Sequence, residues 1–220
     1  MKSERGVTLV EILIGLLVSS IAVAGMLLTF RNAIQITARA EPAATDDAQR
    51  IAALLRVHML VQKAGYGIEN PANNTDLLAA NLVWSPGEGG GTLATTDNSA
   101  LGESLLWSSD TDLDGAPLCE GVVPDAAGGL FHVSAACVNA SGWQSVQDWA
   151  GVQLVASSSA ESSSAALTIS DTFAPCSPVG AGDPATDILE GINLTLSVTL
   201  STGITVPSST CLYNFSSATP

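Results

Sequence analysis

Residues 7–30 read VTLVEILIGLLVSSIAVAGMLLTF, an apolar run of 24 residues whose only charge is Glu11. As a helix this run spans about 36 Å, enough to cross a hydrocarbon core about 30 Å thick. A secretory signal has a shorter apolar core and is cut behind it at a small-residue site. Ala38-Arg39-Ala40 offers such a site, but it stands well past Phe30 and the run is far longer than a signal core. Lys2 and Arg5 on one side are matched by Arg31 and Arg39 on the other, so charge counting does not choose an orientation.

The rest of the chain has a different chemistry. All seven Lys and Arg lie at or before Lys63, beside five of the 21 acidic residues. The other 16 acidic residues follow with no base among them. Such a region repels phosphate backbones, so nucleic acid is not an expected partner. With 220 residues, 46% hydrophobic and 5% aromatic, the chain can bury one ordinary core plus an appended segment. Few charges and many Ser, Thr, Gly and Ala point to a domain facing solvent outside the cytoplasm.

The apolar run is preceded by Lys2-Ser3-Glu4-Arg5-Gly6 and opens Val7-Thr8-Leu9-Val10-Glu11. This resembles the class III leader of type IV prepilins. The resemblance implies that a membrane prepilin peptidase and methyltransferase cuts between Gly6 and Val7, methylates the Val7 amine and leaves the helix in the product. Val7 departs from the Phe usual in that family. A carboxylate in hydrocarbon costs about 2.5–3.5 kcal/mol on insertion scales, and a plain anchor helix gains nothing from it. In the family the glutamate serves assembly, pairing with the new amine of its own or a neighbouring subunit, and the resemblance implies that role for Glu11.

Beyond Phe30 the helical pattern continues. Ile51, Leu54, Leu55, His58, Met59 and Gln62 recur at helical spacing, which predicts a stripe facing a partner with Arg50, Arg56 and Lys63 facing away. A helix from residue 7 to about 64 would measure about 87 Å. Pro42 is expected to interrupt and bend it, Gly15 and Gly25 to loosen it, and Gly65 and Gly67 to end it. The stretch Gln62-Lys63-Ala64-Gly65-Tyr66-Gly67 resembles the A-G-Y-G sequence closing this helix in PilW-type minor pilins. His58 reads as a packed or edge histidine with no assigned chemistry.

Past residue 70 short Leu, Val, Ile and Thr runs are divided by Gly, Pro, Ser and Asp clusters, the pattern of antiparallel strands with long loops. Strands are expected over 78–84, 104–109, 130–138, 152–156, 165–170, 192–200 and 210–215, with loops over 86–91, 157–164 and 175–184. Residues 193–200 alternate strictly and should cover the core with one face.

Cys119, Cys137, Cys176 and Cys211 all lie in this acidic region without metal-ligand spacing, so they read as two disulfides. Three pairings are possible, and short-range pairing closes Cys119 to Cys137 and Cys176 to Cys211. The segments around Cys119 and Cys137, and Trp149 to Leu154, resemble the corresponding region of PilW-type proteins, although 212–220 lacks the basic tail many of them carry. Asp110-Thr111-Asp112-Leu113-Asp114-Gly115 repeats the opening of a calcium loop, placing hard oxygens from Asp110, Asp112 and Asp114 around one point. Position 121, where a bidentate Glu belongs, is Gly; the adjacent Glu120 is a candidate substitute from a different geometry, and an acidic turn without an ion is the favoured reading. Four N-x-S/T tripeptides occur at the frequency so Ser/Thr-rich a chain produces by chance. No nucleophile stands beside a base in any motif, so the chain is not expected to be an enzyme or to hold a cofactor other than calcium.

These features predict an α+β pilin fold: a leader (1–6), a membrane or filament-core helix (7–30), an amphipathic continuation (31–65) and an acidic β-rich domain (66–220). The resemblance implies a minor pilin working with other minor and major pilins, held in the inner membrane with a periplasmic domain before assembly. A pseudopilin of a type II secretion system and an anchored calcium-binding or adhesive domain are the alternatives.

Overall fold

The computed structural model describes residues 9–98, 101, 103–156, 167–176 and 190–215. The expected loop 157–164, and most of 175–184, lie outside them. Two compact units divide the chain, Met1–Thr45 and Asp46–Pro220. Helix α1 (Leu9–Val61) forms the described part of the first and opens the second. It runs unbroken through Pro42, where an interruption was expected. Proline removes one N–H from the ladder. Alanines at 38, 40, 43 and 44 supply strong helix formers on both sides.

In the second unit the last turns of α1 bury Arg50, Ala53, Leu54, Val57 and Val61, followed by Ala64, whereas Ile51, Leu55 and Met59 are exposed. The inward face is therefore rotated from the expected stripe. Arg50 is accommodated on that face because its guanidinium meets Asp46 at 2.9 Å and donates to the Thr199 carbonyl at 2.8 Å. One turn earlier, Asp47 accepts from the Ser201 backbone and hydroxyl, both at 2.7 Å. Those two hydrogen bonds hold its carboxyl below the usual range.

Ten strands follow: β1 (Leu77–Ala80), β2 (Leu82–Gly87), β3 (Gly90–Thr95), β4 (Ser104–Ser109), β5 (Leu118–Pro124), β6 (Leu130–Ala136), β7 (Ala150–Val155), β8 (Leu167–Pro175), β9 (Glu190–Thr199) and β10 (Thr205–Leu212). They make three antiparallel sheets, ordered β1-β4-β5-β6-β7, β10-β9-β8 and β2-β3. The central strands β4 and β5 of the five-stranded sheet are buried on both faces, whereas the edge strand β7 is mostly exposed. Leu105, Trp107, Val122 and Leu130 join α1 and Leu194 and Leu196 of β9 in one core. Leu106, Cys119, Val123 and Val133 join Leu82, Trp84, Ala140 and Trp149 in a second.

Several expectations change here. The run 78–84 splits at Asn81 into β1 and β2, and β3 and β5 arise where no strand was expected. Glycine, read as a loop signal over 86–91, serves packing instead. The Trp84 indole lies against Gly91, where any Cβ would collide with the ring, so the glycine belongs to the hairpin. β9 keeps its predicted alternation, with Ile192, Leu194, Leu196 and Val198 buried. Its outer face carries cross-strand hydroxyl pairs, Thr168 with Ser197 at 2.6 Å and Thr195 with Ser209 at 2.8 Å.

Two disulfides tie the domain. Cys119 of β5 bonds Cys137, just past β6, and Cys176, just past β8, bonds Cys211 of β10. The second bridge crosses the middle strand at Gly191, where a Cβ would come 3.1 Å from Cys176 Sγ. The fold is thus a long apolar N-terminal helix followed by disulfide-tied antiparallel sheet, which fits the α+β type IV pilin fold.

Candidate functional site

Gly6 and Val7, the expected cleavage and methylation positions, lie outside the described residues. Glu11 stands in the first turn of α1 and is solvent-facing. Around it the helix is apolar on every side, with Leu9, Ile12, Leu13, Leu16, Met26 and Phe30 all more than half exposed. No part of its most apolar window is buried within the protein, and the helix is long and apolar enough to cross a membrane. Its hydroxyls are satisfied internally: Ser19 donates to the Gly15 carbonyl at 2.7 Å, Ser20 to Leu17 at 2.8 Å and Thr29 to Met26 at 2.8 Å. A helix whose polar groups close on its own backbone suits a solvent that offers no hydrogen bonds.

The A-G-Y-G stretch forms the turn that ends α1. Gly65 and Gly67 both have positive φ, 73° and 72°. Gly65 N–H donates to the Ser108 carbonyl and Asp110 N–H to the Tyr66 carbonyl, each at 2.8 Å. At Gly67 a Cβ would collide with the Asp110 carbonyl oxygen. Glycine is therefore required twice over, by φ and by close approach.

That turn holds the start of the acidic loop. One carboxylate oxygen from each of Asp110, Asp112 and Asp114 lies within 4.8 Å of the others. Asp112 and Asp114 are exposed, but Asp110 is only 5% exposed. Asp110 Oδ2 accepts from Gly115 N–H at 2.9 Å. Its Oδ1 is buried and has no hydrogen-bond partner. Glu120, considered as a replacement for the missing bidentate glutamate, is engaged elsewhere.

Glu120 belongs to a buried charge cluster that the sequence did not reveal. It points to the helix side of β5, where Lys63 Nζ lies 2.6 Å from Oε1 and His132 Nε2 lies 3.3 Å from the same atom. Burial pushes the Glu120 carboxyl up, but the hydrogen bonds and charges of His132 and Lys63 outweigh it and hold the pKa below the ordinary value. The His132 ring stacks on Trp107, centroids 6.4 Å apart. The one sequence signal was Glu120 itself, a carboxylate inside an otherwise apolar strand. Lys63, expected to face away, turns inward to meet it.

His58 accepts or donates a 2.9 Å hydrogen bond between Nδ1 and Ser208 Oγ on the edge strand β10. His58 also borders a cleft of about 460 Å³ lined by Gln62, Tyr66 and Tyr213. This is a histidine beside a hydroxyl where none was anticipated. Among the described residues no carboxylate forms an ion pair with His58.

Residues 1–27 match the family described as the prokaryotic N-terminal methylation motif. No match was found among curated proteins or among solved structures. The motif, continuous with an apolar helix, supports a type IV prepilin-like or pseudopilin protein, a structural class. It implies processing by a prepilin peptidase and assembly with other pilins, and with α1 it is consistent with anchoring in the inner membrane.

Proposed function

We propose that this chain is a minor pilin of the PilW type, a low-abundance subunit that helps initiate or cap a type IV pilus after cleavage between Gly6 and Val7 and methylation of the Val7 amine. The observation that carries the reading is the methylation motif running directly into α1, whose one charge in the apolar stretch is Glu11. The A-G-Y-G turn and the two disulfides in the acidic domain support the PilW resemblance. In this reading α1 stays in the inner membrane until assembly and the acidic domain faces the periplasm, then the pilus fibre or tip. Glu11 offsets the positive charge of the Val7 amine, its own or a neighbour's, and gives the packed helices an axial register. Filaments sheared from cells test this directly. A tagged chain of mature mass starting at methylated Val7 should co-purify with pili. Recovery only with a type II secretion pseudopilus would assign the pseudopilin role, and a mature terminus at Glu41 would overturn both.

A further inference from the structure

We propose that the loop 110–115 binds one calcium ion, with Asp110, Asp112 and Asp114 as its side-chain ligands. Three carboxylate oxygens within 4.8 Å of one another form a concentrated negative site. Among the described residues none of the three Asp takes part in an ion pair, and no Lys or Arg follows Lys63 in the chain. The decisive group is Asp110, which is 5% exposed and whose buried Oδ1 accepts no hydrogen bond among the described residues. A buried carboxylate oxygen without a partner is costly, and a cation removes that cost. Calcium–oxygen bonds of about 2.4 Å allow ligands on one ion to stand up to about 4.8 Å apart, so the cluster fits inside a single coordination shell.

The donor set also fixes the class of ion. All-oxygen, carboxylate-rich ligation favours a hard divalent cation, and a loop free to complete its shell with carbonyls and water suits the larger calcium. Glu120 is committed to Lys63, so the site lacks the bidentate carboxylate of a tight site. Affinity should therefore fall in the range of extracellular modules, Kd about 0.1–1 mM. Because Asp110 N–H bonds Tyr66 and Gly67 abuts Asp110, the ion would clamp the loop to the turn that ends α1.

The test uses the full chain in detergent micelles, stripped of metal and titrated with calcium chloride by calorimetry, with melting followed in parallel. Wild type should bind saturably and gain about 3–6 °C in Tm at ten times Kd. The exposed pair Asp112→Asn/Asp114→Asn should fold, melt higher than wild type without calcium because like charges are removed, and lose the calcium-dependent rise. Absence of binding to wild type up to about 10 mM, ten times the weakest expected Kd, overturns the proposal. So does a calcium-dependent rise that persists undiminished in the double variant.

Discussion

Lys63 Nζ sits 2.6 Å from both carboxylate oxygens of Glu120, joining the end of the helix to the middle of the five-stranded sheet. The two partners are unequally buried: the Lys63 side chain is 33% exposed and that of Glu120 only 4%. Removing the lysine therefore leaves the more deeply buried charge, with His132 as its remaining neighbour. Lys63→Met should destabilise the domain by about 3–5 kcal/mol, the cost of stranding a buried charge. Glu120→Gln should cost less, about 1–3 kcal/mol, because water can still reach Lys63.

The same pair sets a pH dependence. Glu120 has its carboxyl pKa lowered in the folded state, so its contribution is fully present above the ordinary value of 4.5 and is lost as pH falls through the depressed folded value. Thermal melts from pH 7 downward should show wild type losing stability below about pH 4.5. The gap to Lys63→Met should narrow over that range, as protonation neutralises the stranded carboxylate. A gap independent of pH would exclude Glu120 as the responsible group.

Cys119–Cys137 and Cys176–Cys211 close loops with sequence separations of 18 and 35. Chain entropy assigns them about 3 and about 4 kcal/mol. Replacing both cysteines of either bridge by Ala should lower stability by those amounts in chemical denaturation. Peptide mapping requires a protease other than trypsin, since no Lys or Arg follows Lys63. Cross-linked peptides of any other pairing would contradict the structure.

Gly67 and Gly115 give a controlled comparison. Both have positive φ, 72° and 82°, but a Cβ on Gly67 meets the Asp110 carbonyl whereas one on Gly115 meets nothing within 4 Å. Gly115→Ala should cost only the conformational strain, about 1 kcal/mol. Gly67→Ala adds a backbone collision and should cost at least about twice that. Equal losses, measured by denaturant midpoint, would refute the close approach.

Glu11→Ala tests the assembly role. Leader cleavage, membrane insertion and the folded acidic domain should survive, while recovery in sheared filaments falls. Recovery at the wild-type ratio would remove Glu11 from the register mechanism, and crosslinking from Val7 to a neighbouring subunit would then locate the contact.

Legibility in the sequence followed the range of the interactions. The apolar run, β4 and the alternation of β9 are local patterns, readable because each residue's environment depends on neighbours along the chain. The inward face of α1 was not readable, because Ile51, Leu55 and Met59 form a second apolar stripe as good as Leu54, Val57 and Val61. Only packing against the strands decides between them, by burying Ala53, Leu54, Val57 and Val61 in the shared core. β3 and β5 were hidden for a related reason. Gly91 and Gly121 carry no strand propensity but make room for Trp84 and Leu106. The Asp110 loop showed its ligand spacing but not the burial of Asp110, and the Lys63–Glu120 contact joins residues 57 apart in sequence.

The inward turn of Arg50 and Lys63 has an electrostatic consequence for crowding. Both cations are paired with carboxylates of the second unit, which leaves Arg56 as its one exposed Lys or Arg, whereas Glu69, Glu88, Asp97, Asp112, Asp114 and Asp148 are exposed. The unit therefore behaves as a polyanion whose counter-charge is supplied by the medium. Copies brought side by side repel within a Debye length of about 8 Å at physiological ionic strength, and less as salt rises. Close lateral approach of two such domains is accordingly a salt-dependent step, governed by mobile ions rather than by complementary side chains.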